Sequence, residues 1–346
     1  METIENNIMK RILYLTCALM VLSSCNKNEQ ISTCPDTNSI LDEYESDQHY
    51  ILTNDGDVYI KNNGDCEYYI QYFSPGFENN YYIDNGTTYT YFNEYPIPVL
   101  TQLIDNFESI YTFLDLFITS PSAASHHWTD FILQSPANPT IEEYVDLRKC
   151  ILAGNCDFED NRIDLKTDIL NNSGNCIKFT AIEPTPNMIT SKSSLSNSLM
   201  FADKNDEIMV EADFYIESGF PFSIVDFENK WFEGHPGIRL VFDDNNNIAV
   251  ELKYGLKPWY RQKTGSELSF PSEQWVNIKW QFDLSETDNG TIKVWQDNVL
   301  IIDETGKTLP TSNSIQSNIE LGITATDQHT IMYVDNFKIM INKNEY

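Results

Sequence analysis

Along the second half of the chain apolar and polar positions exchange every residue. Ile208, Val210, Ala212, Phe214 and Ile216 alternate with Met209, Glu211, Asp213, Tyr215 and Glu217. Val276, Ile278, Trp280, Phe282 and Leu284 alternate with Trp275, Asn277, Lys279, Gln281 and Asp283, and Ile248, Val250 and Leu252 with Ala249, Glu251 and Lys253. A period of two means strands with one face in a core and the other in water. Turn-forming runs separate them: Asp243 to Asn247, Asp288-Asn289-Gly290 and Asp297-Asn298. Roughly ten such strands at regular spacing predict an all-β fold, a two-sheet antiparallel sandwich over 126–342.

Residues 38–120 predict a small β-rich domain with one helix. Short strand-like runs are separated by Asp55-Gly56, Asn63-Gly64 and Asn85-Gly86, dipeptides that supply the positive φ of tight hairpins. Leu100, Leu103, Ile104, Phe107, Tyr111 and Leu114 then fall at helical spacing, predicting a helix from about Val99 to Leu116. The small-residue run Ser120 to Ser125 marks the domain boundary.

The N-terminus changes where the protein is expected to work. Lys10-Arg11 precede a short apolar run from Ile12 to Leu22, ending in Leu22-Ser23-Ser24-Cys25. This is the form of a secretory signal, too short to span a bilayer. The cysteine after Leu-Ser-Ser resembles the bacterial lipobox, so 1–25 reads as a lipoprotein signal peptide with Cys25 as the lipidated residue. Polar residues 26–37 form a tether. The expectation is an exported protein lipid-anchored to the bacterial outer membrane. Outside the leader and Cys25, five cysteines remain (Cys34, Cys66, Cys150, Cys156, Cys176). Export permits disulfides, with Cys150–Cys156 and Cys34–Cys66 as candidate pairs.

Charge sharpens the picture. The chain carries a formal net charge of −30, which argues against nucleic-acid binding. Yet Arg239, Lys253, Lys257, Arg261 and Lys263 face only Asp243, Asp244 and Glu251 within 239–263. A local reversal of sign is where an anionic ligand would be held, and the neighbouring Trp259 and Tyr260 suit sugar rings. If Val225 and Phe227 enter the core, Asp226 and Glu228 project from the opposite face. By the same alternation Arg239, Glu251 and Lys253 leave the core side of their strands. Cross-strand ion pairs of Asp226 and Glu228 with Arg239 and Lys253 are an equally open reading.

From Trp128 to Ile341 the sequence resembles the jelly-roll polysaccharide lyases of concanavalin-A-like fold, which include alginate, glucuronan and heparin lyases. Phe270-Pro271-Ser272-Glu273-Gln274-Trp275-Val276, Gly290 to Asp297 and Tyr333-Val334-Asp335-Asn336 carry a general likeness. Leu252 to Gln262 is similar to the lyase strand Y-F-K-A-G-x-Y-x-Q, with three extra residues between Gly255 and Tyr260. The resemblance implies β-elimination on an acidic polysaccharide, with Tyr260 as acid/base and Lys253 and Gln262 lining the site. It places Lys192 where lyases have an arginine motif. Alginate lyases carry Q-I-H or Q-V-H where this chain reads Asp226-Phe227-Glu228, so His235, His126 or His127 is left to supply the imidazole.

The chemistry asks for these residue types. A lyase removes the proton alpha to a uronate carboxylate, which requires that charge to be neutralised. Arg239, Lys253 or Arg261 suit that role, and adjacent cations would lower the Tyr260 phenol from about 10. Asp226, Glu228, Glu251, Lys253, Lys257, Trp259, Arg261, Gln262 and Lys192 are the expected substrate contacts. Two carboxylates on one face also admit a glycoside hydrolase, and the same face admits a non-catalytic glycan binder. No cofactor is expected; Asp- and Asn-rich turns offer oxygen ligands, but no spacing matches a calcium loop. The expected partners are an acidic polysaccharide, the membrane through the anchor, and other glycan-uptake proteins.

Overall fold

The six N-terminal strands form two antiparallel meanders. They are β1 (Gln48–Leu52), β2 (Val58–Asn62) and β3 (Asp65–Tyr69), then β4 (Tyr81–Asp84), β5 (Thr87–Phe92) and β6 (Tyr95–Pro98). The structure, a computed structural model, describes these strands as backbone. With nearly all side chains it describes residues 101–117, 128–167, 169, 174–197, 200, 202–230, 237–311 and 314–343. Cys25, Cys34, His126, His127 and His235 lie outside the described residues. So do the leader, the tether and the proposed Cys34–Cys66 bridge.

The strands continue with β7 (Gln102–Asp105), β8 (Asp130–Ile132), β9 (Arg162–Thr167), β10 (Asn175–Ala181) and β11 (Ser191–Asn197). Helix α1 (Ile141–Leu152) lies between β8 and β9. Next come β12 (Glu207–Ser218), β13 (Ser223–Lys230), β14 (Gly237–Phe242), β15 (Ile248–Leu252) and β16 (Trp259–Tyr260). The last five are β17 (Trp275–Asp283), β18 (Gly290–Gln296), β19 (Val299–Gly306), β20 (Ile315–Thr326) and β21 (Thr330–Asn342). One sheet has the order β19-β18-β17-β12-β21-β10-β9, with β7 also on β21; the other runs β16-β15-β14-β13-β20-β11-β8. Every strand pairing in both sheets is antiparallel.

The alternation does what the sequence predicts: the apolar set of each strand fills one shared core. Phe227 from one sheet packs edge-on to Trp280 and Phe282 from the other, at centroid distances of 5.6 and 5.4 Å. Trp280 is fully buried.

The described residues 101–116 do not form the expected helix. Residues 102–105 form β7, which pairs with β21 through Leu103↔Ile339 and Phe337↔Asp105, and only Phe113–Leu116 make a 3-10 turn. The strand is set by that long-range pairing, and the local backbone is compatible with it. Phe107 takes φ 57°, a left-handed conformation that ends any helix there. Asp105 then accepts from the Phe107 amide (2.9 Å) and the Trp128 indole (3.1 Å). Leu103, Phe107 and Trp128 are thereby drawn into the sandwich core, across the boundary expected at 120. Among the described residues the α-helix lies elsewhere, at α1. Thr140 and Glu143 close a capping box at its start, and Cys150–Cys156 form a disulfide at its end, with Cα atoms 5.3 Å apart. Among the described residues Cys176 is a free, buried thiol, pushed up to about 12 by burial and by Asp335.

Candidate functional site

Strand register alone assembles one line of side chains across the outer face of the seven-stranded sheet. Asp130 pairs with Ser196, Ser196 with Glu320, Glu320 with Asp226, Asp226 with Arg239, Arg239 with Glu251, and Glu251 with Trp259. Directly opposed side chains on one face lie close enough to interact. Alternation keeps the apolar neighbours Phe131, Leu195, Leu321, Val225, Leu240 and Val250 on the core side.

Three cations sit on this face, each seated on a more deeply buried carboxylate of a neighbouring strand. Lys192 on β11 pairs with Glu320 on β20 at 3.3 Å. Lys253, just after β15, pairs with Asp226 at 2.8 Å and Glu228 at 3.3 Å. Arg239 on β14 pairs with Glu251 on β15. The acid side chains of Glu320, Asp226 and Glu251 keep 2–7 % of their exposure, whereas Lys192, Lys253 and Arg239 keep 17–20 %. The carboxylates form a floor, and the cations rest on it toward solvent. Gly237 allows the closest approach in this region, since a Cβ there would fall 1.5 Å from the Phe227 carbonyl oxygen.

The electrostatics follow from the count. Asp226, Glu228 and Glu320 surround two ammoniums, Lys192 and Lys253, so one acid is in excess. Burial, with the repulsion of Glu228 and Asp226, carries Glu320 up to about 7. Asp226 is raised for the same reasons. Burial opposes the charge on Lys192, but Glu320, Glu228 and Asp226 outweigh it and hold the ammonium above its ordinary value. Lys253 is raised by Asp226 and Glu228 against the same desolvation. At the β8 end, burial lifts Asp130 to about 7 despite its ion pair with Arg148 of α1.

Raised carboxyls set a pH dependence. Protonated Glu320 and Asp130 favour the folded state most below their unfolded values near 4, and that contribution is lost as pH rises through about 7. Thermal melts are therefore expected to show the protein several degrees more stable at pH 5.5 than at pH 8. A higher melting temperature at pH 8 would contradict these shifts. Self-repulsion at a net charge of −30 acts in the same direction.

At the β16 end the face becomes aromatic. The Trp259 indole donates to Glu251 (3.1 Å). Arg261 lies over the Trp259 ring at 4.4 Å, Arg239 over Phe222 at 4.7 Å, and the two rings meet edge to face. The Arg261 side chain, about half exposed, also pairs with Asp243 at 3.2 Å.

The structure thus brings together Lys192, Asp226, Glu228, Arg239, Glu251, Lys253, Trp259 and Arg261. It does not bring Tyr260. Tyr260 pairs with Val250 and lies on the core side, against the hydrophobic cluster. Its hydroxyl occupies the space over Gly306, where an added Cβ would fall 1.9 Å away. Burial, Asp288 and Glu304 raise this phenol. That corrects the expected lowering by adjacent cations, which point to the other face. Replacing Tyr260 with Phe is accordingly expected to leave glycan binding and turnover near wild type; a hundredfold loss in turnover would contradict its placement. Gln262 is also diverted. Its amide donates to the Leu268 and Ile248 carbonyls and accepts from the Leu268 amide (2.7 Å), so it staples a loop. Lys257 is exposed on the turn after Tyr254, away from the ion-paired line. On the other sheet Trp275 donates to the Ile169 carbonyl and Trp295 underlies Lys279.

Sequence reasoning missed Glu320, Asp130 and Arg148. The described residues also hold an open depression lined by Lys204, Glu207, Asp283, Glu286 and Asn342. Its lysine is tied to Glu286 at 2.6 Å, and Glu207 and Asp283 are the other charged groups of that lining. No cluster of His, Cys, Asp and Glu among the described residues is arranged to hold a metal ion.

No family profile matches the chain, and no curated protein matches it. Solved structures with a similar course of the backbone include an endo-β-1,4-glucuronan lyase from the fungus Trichoderma reesei. It shows 10% identity and a TM-score of 0.42, over 62% of this chain and 95% of that one. An alginate lyase gives 11%, 0.41, 72% and 100%, and an alginate lyase from Aplysia kurodai 13%, 0.35, 62% and 98%.

Proposed function

We propose that this is an exported protein, lipid-anchored through Cys25 at the outer membrane, that takes an acidic, uronate-bearing polysaccharide on the outer face of the seven-stranded sheet and cleaves it by β-elimination. The observation that carries the reading is the floor of buried carboxyls with three largely buried cations above it, each keeping 17–20 % of its exposure. A ligand carboxylate approaching Lys192, Lys253 or Arg239 meets a preorganised positive group that need not move, the arrangement that best stabilises charge developing beside a carboxylate. Protonation of Glu320 would free Lys192 further for the ligand.

In the reaction a base removes the proton alpha to the uronate carboxylate and a carbon–carbon double bond forms. The glycosidic oxygen leaves the neighbouring carbon and takes up a proton. Lys253 and Arg239 serve as neutralisers. His235, in the connection between β13 and β14, is the proposed base, since an imidazole accepts protons near neutral pH. Tyr260 has no part in it.

Incubation with polyglucuronate, alginate, heparin and pectin tests this, with ultraviolet absorbance of the unsaturated uronate followed alongside new reducing ends. Absorbance with reducing ends supports elimination. Reducing ends without absorbance would replace it by hydrolysis, for which Asp226 and Glu228, on one face of β13, are the candidate acid pair. Binding with neither product would leave a glycan-capture protein.

A further inference from the structure

We infer that Tyr144, carried on helix α1, is a ligand-contacting residue: a hydrogen-bonding wall beside Lys192 for the carboxylate or sulfate groups of an acidic oligosaccharide. The inference rests on the reading of the sheet face given above.

Helix α1 is fixed over the β8 end of the charged line. Arg148 is buried and pairs with Asp130 on β8, the first member of that line. Tyr144 lies four residues earlier, on the same helix face one turn nearer the N-terminus. Val145, Leu147 and Ile151 are buried, which anchors the helix by its other positions. The capping box at Thr140 and the Cys150–Cys156 disulfide fix its two ends. A side chain so placed has little freedom to leave the site.

The charged groups acting on Tyr144 come from three strands and its own helix. They are Lys192 of β11, Glu320 of β20, Glu228 of β13 and Arg148 of α1. All four belong to the ion pairs described above, in keeping with the Arg148–Asp130 pair that holds this face of α1 over the β8 end of the line. The ring is half-buried, and among the described residues its hydroxyl has no hydrogen-bond partner. A phenol near Lys192 and Arg148, protonated at neutral pH by its ordinary value of about 10, that keeps an unused donor is suited to an anionic oxygen.

The position also sets the size of the ligand. From Lys192 on β11 to Trp259 on β16 there are five inter-strand steps, about 24 Å at the usual strand spacing. An oligosaccharide crossing the strands would meet Tyr144 and Lys192 at one end and the Trp259–Arg261 pair at the other. A disaccharide would reach only one end.

The test uses the full chain and titrates size-defined oligouronates and heparin oligosaccharides against wild type, Tyr144→Phe, Trp259→Ala and the double variant Asp226→Asn/Lys253→Met. Thermal melts are run on each. Tyr144→Phe is expected to bind long oligomers about tenfold more weakly, the usual effect of a hydrogen bond to a charged group, with an unchanged melting temperature. Trp259→Ala should weaken long oligomers and spare one class of disaccharide binding. Wild-type affinity in Tyr144→Phe, beside lost affinity in the double variant, would overturn this inference and leave the sheet face as the binding site. Weaker binding with a matching fall in melting temperature would assign Tyr144 to packing and overturn it as well. If the wild-type chain binds none of the acidic oligosaccharides, both readings fall.

Discussion

Replacing Lys253 with methionine is expected to abolish capture and turnover of acidic polysaccharide and to lower stability by roughly 3–5 kcal/mol at pH 8. The ammonium is the partner of both Asp226 and Glu228. Without it, Asp226 is a carboxylate at 2 % exposure with Glu320 directly opposite on the next strand. The loss should shrink at pH 5.5, because Asp226, already raised, then takes up a proton instead of remaining an uncompensated charge. Adding Asp226→Asn should recover most of the stability, since both charges are then gone. It should not recover binding, which needs the cation. Urea melts at the two pH values, with retention on immobilised polysaccharide, separate the two effects. If Lys253→Met retained binding, Lys253 would have no place among the ligand contacts.

The second large effect is expected at Arg148, replaced by methionine. Its guanidinium and the Asp130 carboxylate are both about 95 % buried. Breaking a buried pair from one side costs roughly 3–5 kcal/mol. Asp130 lies near 7 even with its partner present, so the penalty should be full at pH 8 and much smaller at pH 5.5. Helix α1 should loosen with it, which hydrogen exchange over 141–152 would report as faster exchange. A penalty equal at both pH values would mean that Asp130 does not titrate as described.

Much of the fold was legible because strand alternation is a local signal. The period-two runs at 208–217, 248–252 and 276–284 mark β12, β15 and β17. Residues that leave the core together, such as Asp226, Arg239 and Glu251, could be named from their spacing alone. The segment around Leu103 was not legible in this way. Its apolar spacing fits a helix, and only the long-range pairing of Leu103 with Ile339 decides for a strand. Helix α1 did leave a signal, Thr140-x-x-Glu143 after Pro139, which is a capping box on paper as well as in the fold.

The site was half legible. Glu320 lies 94 residues from Asp226 in sequence, and nothing local says that β20 inserts between β13 and β11. Tyr260 was misplaced because a match of residue types carries no face information. The three extra residues after Gly255 and the turn at Lys257, with its left-handed φ of 51°, set which side of β16 meets the core. Trp259, one residue earlier, takes the outer face in its stead.

The most direct measurement is a calorimetric titration of the full chain with polyglucuronate, alginate, heparin and an uncharged glucan, repeated over a range of salt. Binding to at least one anionic polymer is predicted, with affinity falling as salt rises, none for the glucan, and loss in the Asp226→Asn/Lys253→Met variant. Equal affinity for the uncharged glucan, or undiminished anionic binding by that variant, would contradict the assignment of the ion-paired sheet face as the glycan site.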